Sequence, residues 1–119
     1  MSFALPSTPA LDLAHRLNEM GGDLEGLREI VETVVNECDY SEPLLRQAAE
    51  AGGDEFAHVL HEMANSSSII GASVCAAMAR NLEGRLASGR PVVWSASCDA
   101  LVSEWTAVLV ALNRWLHAV

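Results

Sequence analysis

Residues 54–72 read DEFAHVLHEMANSSSIIGA, and the order of apolar and polar side chains in them decides the fold. At about 100° per residue, Phe56, Val59, Leu60 and Met63 fall on one side of a helix, and His58, His61, Glu62 and Asn65 on the other. Such a helix buries one face and leaves both histidines facing outward. A solvent-facing imidazole is available for chemistry near neutral pH, where its charge changes. Ser66, Ser67 and Ser68 are poor helix formers whose hydroxyls compete for nearby backbone, so they predict fraying and a turn ahead of Gly71 and Ala72.

Working outward, the same helical spacing recurs on both sides. Toward the N-terminus, Thr8 as cap and Pro9 as first helical residue predict a helix carrying Leu13, Leu17 and Met20, stopped by Gly21 and Gly22. Asp23 can cap a helix with Leu24, Leu27, Ile30, Val31, Val34 and Cys38 inside and Glu25, Arg28, Glu29 and Glu32 outside. Ser41, Glu42 and Pro43 open another through Leu44, Leu45 and Ala48 to Ala51, stopped by Gly52 and Gly53.

Beyond Gly71, Val74, Cys75, Met78, Leu82 and Leu86 point inward, with Arg80, Glu83 and Arg85 toward the margins, as far as Gly89 and Pro91. Residues 92–98, VVWSASC, admit either a helical turn or a short extended piece. From Asp99, a wide stripe of Leu101, Trp105, Val108, Leu109, Leu112, Trp115 and Leu116 runs almost to the C-terminus, its tryptophans placed as core anchors. No segment alternates long enough to be a strand. Short connections favour antiparallel neighbours, so the expected fold is all-α: an antiparallel up-down four-helix bundle with additional short N-terminal helices. Residues 1–8 are expected as a flexible leader and 9–119 as the single bundle domain.

A chain of 119 residues builds one core, and with half its residues hydrophobic but 5% aromatic, that core is mostly aliphatic. Sixteen acidic against 7 basic side chains give a net charge of −9, which repels phosphate backbones. Nucleic acid and anionic membrane are therefore excluded as expected partners. No apolar run approaches the length of a membrane span and no secretory signal pattern opens the chain, so it reads as soluble and cytoplasmic. Cys38, Cys75 and Cys98 are odd in number and form no CxxC pair, which suits small buried hydrophobes in a reducing compartment.

His61 is the candidate for chemistry. On the helix projection it lies about 140° from Phe56, beside Ala57, Ala64 and Ser68, with Asn65 about 40° away. Small neighbours leave the imidazole open to another protein; a solvated surface histidine is the plainer reading, since alanine is common on helices. His58 and His61, three apart, could share an ion with Glu55 or Glu62, and Glu55 and His58 form a Glu-x-x-His pair, but a bundle metal site needs a second such pair facing it inside the core, these residues point outward, and His15 and His117 lie on other faces. No metal and no cofactor is expected. The serines lack a nucleophile-elbow context, and neither a Gly-rich phosphate loop nor a Cys–His motif is present.

The run His61 to Ala72, HEMANSSSIIGA, resembles the signature of histidine-containing phosphotransfer (HPt) domains. That signature has a phospho-accepting His, an apolar residue two on, Lys and Gly three and four on, then small residues, and a Gly-Ala pair ten and eleven on. Here these positions hold His61, Met63, Ala64, Asn65, Ser66, Ser67, Gly71 and Ala72. The serine run looks like the plant members. Upstream MGGDLEGLREIVETVV and downstream VCAAMARNLEGRL look like flanking helices of the family, so the resemblance covers roughly residues 10 to 118.

The resemblance implies a four-helix bundle that carries phosphate on His61 and exchanges it with the aspartate of receiver domains, in response regulators or hybrid sensor kinases. Any Mg2+ would belong to the receiver, and the chain would be a carrier, not a turnover enzyme or a kinase. Ala57, His58, Glu62, Ala64, Asn65 and Ser68 would surround the site. Nominating His58 instead would put Gly71 thirteen residues away, and that three-residue shift turns a helix by about 300°. Two departures bear on function: the family's Lys is Ala64, removing a cation, and its Gly is Asn65, adding bulk. Three readings stay open: a competent phosphorelay intermediate, an HPt-like module that docks without transfer, and an unrelated helical interaction protein using exposed Val110.

Overall fold

The computed structural model describes residues 5–89 and 93–118. Among them are six helices: α1 (Leu13–Glu19), α2 (Leu24–Glu37), α3 (Glu42–Ala51), α4 (Gly53–Ile69), α5 (Ser73–Ala87) and α6 (Ala96–Leu116). Ahead of them two short strands, β1 (Ser7–Thr8) and β2 (Leu11–Asp12), pair antiparallel with Ser7 opposite Asp12 and Thr8 opposite Leu11. The all-helical expectation thus holds apart from this small hairpin. The expected stop at Pro91, the first residue of the ambiguous 92–98 segment, and the leader from Met1 to Ala4 lie outside the described residues.

The first helix begins later than Thr8 and Pro9 suggest. The Thr8 hydroxyl accepts the Leu11 N–H at 3.2 Å and so caps the hairpin turn, while Asp12 caps α1, its carboxylate accepting the His15 N–H at 3.0 Å. The backbone between them is used elsewhere: the Pro9 carbonyl accepts from Val74 and the Asp12 N–H donates to the Gly71 carbonyl at 2.9 Å. These bonds fasten the hairpin to the turn between α4 and α5. Ser7 and Thr8, expected in a loose leader, therefore belong to a strand, and Leu5 packs on the core.

α4 and α5 form an antiparallel helical hairpin, the most extensive pairing among the described residues, with α3 against α4, α6 against α5, and α2 against α6. Small side chains let the two helices lie close. Ala64 and Ser67 on α4 and Cys75, Ala76 and Ala79 on α5 are all at most 1% exposed. Phe56, Leu60 and Met63 bury the face of α4 that the periodicity assigns to the core. The stripe of α6 does the same through Leu101, Trp105, Val108, Leu112 and Leu116. Trp105 meets Tyr40 edge-on, ring centroids 5.1 Å apart, and each fully buried Leu, Val or Met side chain of this core contributes about 1.5–3 kcal/mol through burial.

The serine run does not fray. α4 continues through it to Ile69: Ser67 is fully buried, Ser66 shares a 2.9 Å hydrogen bond with the Tyr40 hydroxyl, and Ser68 is bonded from α5. Tertiary partners for the Ser66 and Ser68 hydroxyls, and burial of Ser67 against α5, override the weak intrinsic helix preference of serine. Likewise Gly53 opens α4 instead of ending α3, leaving Gly52 as the break, at φ 128°.

The cysteines separate by burial: Cys75 and Cys98 are buried and Cys38 is half-buried. Burial pushes the Cys75 thiol above its ordinary value, which keeps the thiolate, the reactive form, scarce. Titration of the native protein with a disulfide thiol reagent near pH 8 is expected to show Cys38 reacting first, with Cys75 and Cys98 reacting only on unfolding. Immediate reaction of all three would contradict this packing. Among the described residues, no helix is long and apolar enough to cross a membrane.

Candidate functional site

The exposed seam between α4 and α5 gathers the polar groups that the α4 pattern turned outward. His61 projects from the middle of α4 with its side chain 60% exposed. Across the seam Glu83 of α5, 30% exposed, places Oε2 3.1 Å from His61 Nδ1. An ionised carboxylate can only accept a hydrogen bond, so the imidazole proton sits on Nδ1. In the neutral ring that leaves a lone pair on Nε2, which has no hydrogen-bond partner among the described residues. The carboxylate fixes the orientation of the ring.

Farther along the same seam, Ser68 is exposed, and its hydroxyl accepts from Arg80 Nη2 at 2.8 Å. Arg80 and Glu83 are one turn apart on α5 and share a face. Asn65 is exposed on α4 between His61 and Ser68. The seam therefore carries, in order, a histidine with its carboxylate, a carboxamide, and a hydroxyl with its guanidinium.

The other expected site residues divide by depth. Ala57 is half-buried one turn before His61. Ala64 is 1% exposed, so it is part of the helix packing beneath the seam and not one of the small residues around the imidazole. His58 and Glu62 are exposed and pair with each other along α4, Nε2 to Oε1 at 3.1 Å. The carboxylate beside His61 is thus Glu83, not the sequence neighbour Glu62.

Glu83 and Arg80 are the residues that reading the sequence did not join to the site. Their signal was faint but present: both sit at the margin of the α5 stripe, and folding α4 and α5 back on each other about residues 70–72 brings Glu83 level with His61, while Arg80 meets Ser68 only through the reach of its long side chain. Among the described residues, no three His, Cys, Asp or Glu side chains gather closely enough to hold a metal ion. The seam offers instead an exposed imidazole oriented by a carboxylate, with a guanidinium farther along it. Comparison of the chain with protein-family models, curated proteins and solved structures finds no match.

Proposed function

We propose that this chain is a phosphoryl carrier of a two-component phosphorelay, taking phosphate on His61 from a receiver-domain aspartate and passing it to another receiver. The reading places it in the cytoplasm with α2, α4, α5 and α6 as the four bundle helices. The observation that carries it is the open imidazole of His61, held through Nδ1 by Glu83 so that Nε2 is free to attack. The resemblance of residues 61–72 to the HPt signature supports the same assignment.

In the transfer, the Nε2 lone pair attacks the phosphorus of an aspartyl phosphate. The N–P bond forms, the P–O bond breaks, and the aspartate carboxylate leaves with the electron pair. Positive charge develops on the ring and is shared with Glu83 through Nδ1–H. Reversal returns the phosphoryl group to a second carboxylate. A metal on the receiver would neutralise the leaving oxygens, and this chain contributes the nucleophile and its orientation.

The test is incubation of the purified chain with phosphorylated receiver domains, scoring acid-labile, base-stable label. Labelling supports the carrier. Absence of label with receiver binding retained selects a docking module without transfer, a reading favoured by the absence of Lys or Arg from α4.

Glu83 acts as a positioning residue. Glu83→Gln retains an acceptor for Nδ1–H but removes the charge, and is expected to slow phosphoryl acceptance about tenfold, in line with loss of a charge-assisted hydrogen bond. Glu83→Ala is expected to slow it further and to let the proton redistribute between the ring nitrogens, read from side-chain 15N shifts. Unchanged shifts in Glu83→Ala would remove Glu83 from the mechanism.

A further inference from the structure

The seam holds a cation with no acidic partner among the described residues. All 7 basic residues of the chain are arginines. Arg16, Arg28 and Arg46 each lie within ion-pair distance of a carboxylate. Among the described residues Arg80, Arg85 and Arg114 do not; Arg85 bonds to Ser97 of α6 and Arg114 lies on α6, so Arg80 is the one on the seam, its guanidinium resting on the neutral hydroxyl of Ser68. In a chain of net charge −9, what sets Arg80 apart from Arg85 and Arg114 is its place on the face of α5 that also carries Glu83.

Its place on α5 connects it to His61. Arg80 is one turn from Glu83, and Glu83 touches the imidazole. Ser68 lies two turns of α4 beyond His61, on the same side of the helix, about 10 Å along the axis. Arg80 is thus a long, flexible side chain rooted on α5 between the hydroxyl where it rests and the carboxylate that holds the imidazole. α4 itself cannot supply a cation: it has no Lys or Arg, and position 64 is packed beneath the seam.

We infer that Arg80 is the phosphate-holding residue of this site, leaving Ser68 to pair with the phosphoryl oxygens once they are on His61 Nε2. The inference rests on the carrier reading. A phosphoryl dianion brought onto a strongly acidic protein meets a repulsive field, and the nearest groups include the Glu83 carboxylate and the His58–Glu62 pair. A guanidinium fork offers paired N–H donors matched to phosphoryl oxygens, which the single Ser68 hydroxyl does not. Ser68 then serves as a resting point that keeps Arg80 on the seam and away from Glu83, whose carboxylate remains with the imidazole.

The experiment uses phosphoramidate, a small phosphodonor that needs no receiver. His61 Nε2 displaces ammonia from phosphorus, a new N–P bond replacing the old one, and the leaving nitrogen takes up protons from water. Wild type, Arg80→Ala, Arg80→Lys and Ser68→Ala are compared for initial rate and final extent of histidine phosphorylation, with circular dichroism melts confirming that each is folded.

Arg80→Ala is expected to lower the rate about tenfold, Arg80→Lys to fall between it and wild type, and Ser68→Ala to match or exceed wild type because the guanidinium is released. Added salt is expected to slow wild type more than Arg80→Ala. A labelled wild type with Arg80→Ala equal to it overturns the inference and leaves the carrier reading standing. Loss in Ser68→Ala as large as in Arg80→Ala also overturns it, because the hydroxyl would then be the group required. A folded wild type that takes no phosphate from phosphoramidate or from any receiver overturns both.

Discussion

Replacing His61 with Gln is expected to abolish phosphoryl acceptance, while His58→Gln leaves it at the wild-type level. The contrast is chemical more than steric. A glutamine amide can still donate to the Glu83 carboxylate across the seam and keep the exposed helix face intact, but its nitrogen lone pair is delocalised and does not attack phosphorus. His58 lies on the same helix, similarly exposed, yet is tied to Glu62, while Glu83 holds His61. Both variants are surface changes and should unfold within about 0.5 kcal/mol of wild type. Label acquired from a phosphorylated receiver, followed with time, reads the difference. Persistent labelling of His61→Gln would move the site elsewhere.

The largest effect on stability is expected at Gly71. Its φ of 75° lies in the left-handed region, where it closes α4: the Gly71 N–H donates to the Ser68 carbonyl and the Ala72 N–H to the Ser67 carbonyl at 2.8 Å. This pair of bonds satisfies carbonyls that the helix end leaves free, and Ala72 is buried behind it. A Cβ at position 71 would also sit 2.5 Å from the Asp12 carbonyl oxygen and 2.9 Å from its carbon, both backbone atoms of the docked hairpin. Gly71→Ala therefore carries a left-handed penalty and a backbone clash together, a loss of about 2–4 kcal/mol.

Gly21 supplies the control. It has a similar φ of 69° but nothing within 4 Å of a built Cβ, so Gly21→Ala should lose only the conformational part, about 1–2 kcal/mol. Urea denaturation of both variants reads the difference, and equal losses would mean that the hairpin does not press on the turn.

Gly71 also shows what the sequence could and could not reveal. The Gly-Ala pair is legible as a stop after a helical pattern, and the stripes of α2, α4, α5 and α6 are legible from periodicity, because both are local consequences of backbone geometry and burial. The docking of Ser7–Asp12 onto that stop is not legible. It rests on backbone hydrogen bonds from Asp12 to Gly71 and from Val74 to Pro9, which carry no side-chain signature. The serines mislead for a related reason: their propensity points to a turn, and only the partners Tyr40 and Arg80, distant in sequence, explain why the helix persists.

At the candidate site, the outward face of His61 follows from the helix projection alone. Its carboxylate does not, because Glu62 and Glu83 are equivalent candidates until α4 and α5 are known to pair and His58 is seen to hold Glu62. Ala64 illustrates the same point in reverse. It reads as a small residue beside the imidazole, yet the close approach of α5 places it in the packing underneath. Angles on one helix place a residue only to within the width of a stripe, and the neighbouring helix decides which side of that margin is wet.

The most direct test of the account is to locate the phosphorus. Protein labelled with 15N in its histidine rings, incubated with a phosphorylated receiver and examined by nitrogen-15 and phosphorus-31 NMR, is expected to show an N–P bond at Nε2 of His61 with the proton retained on Nδ1. Phosphate on Nδ1 of that ring, on His58 or on Ser68, or a spectrum unchanged from the unphosphorylated protein, would contradict it.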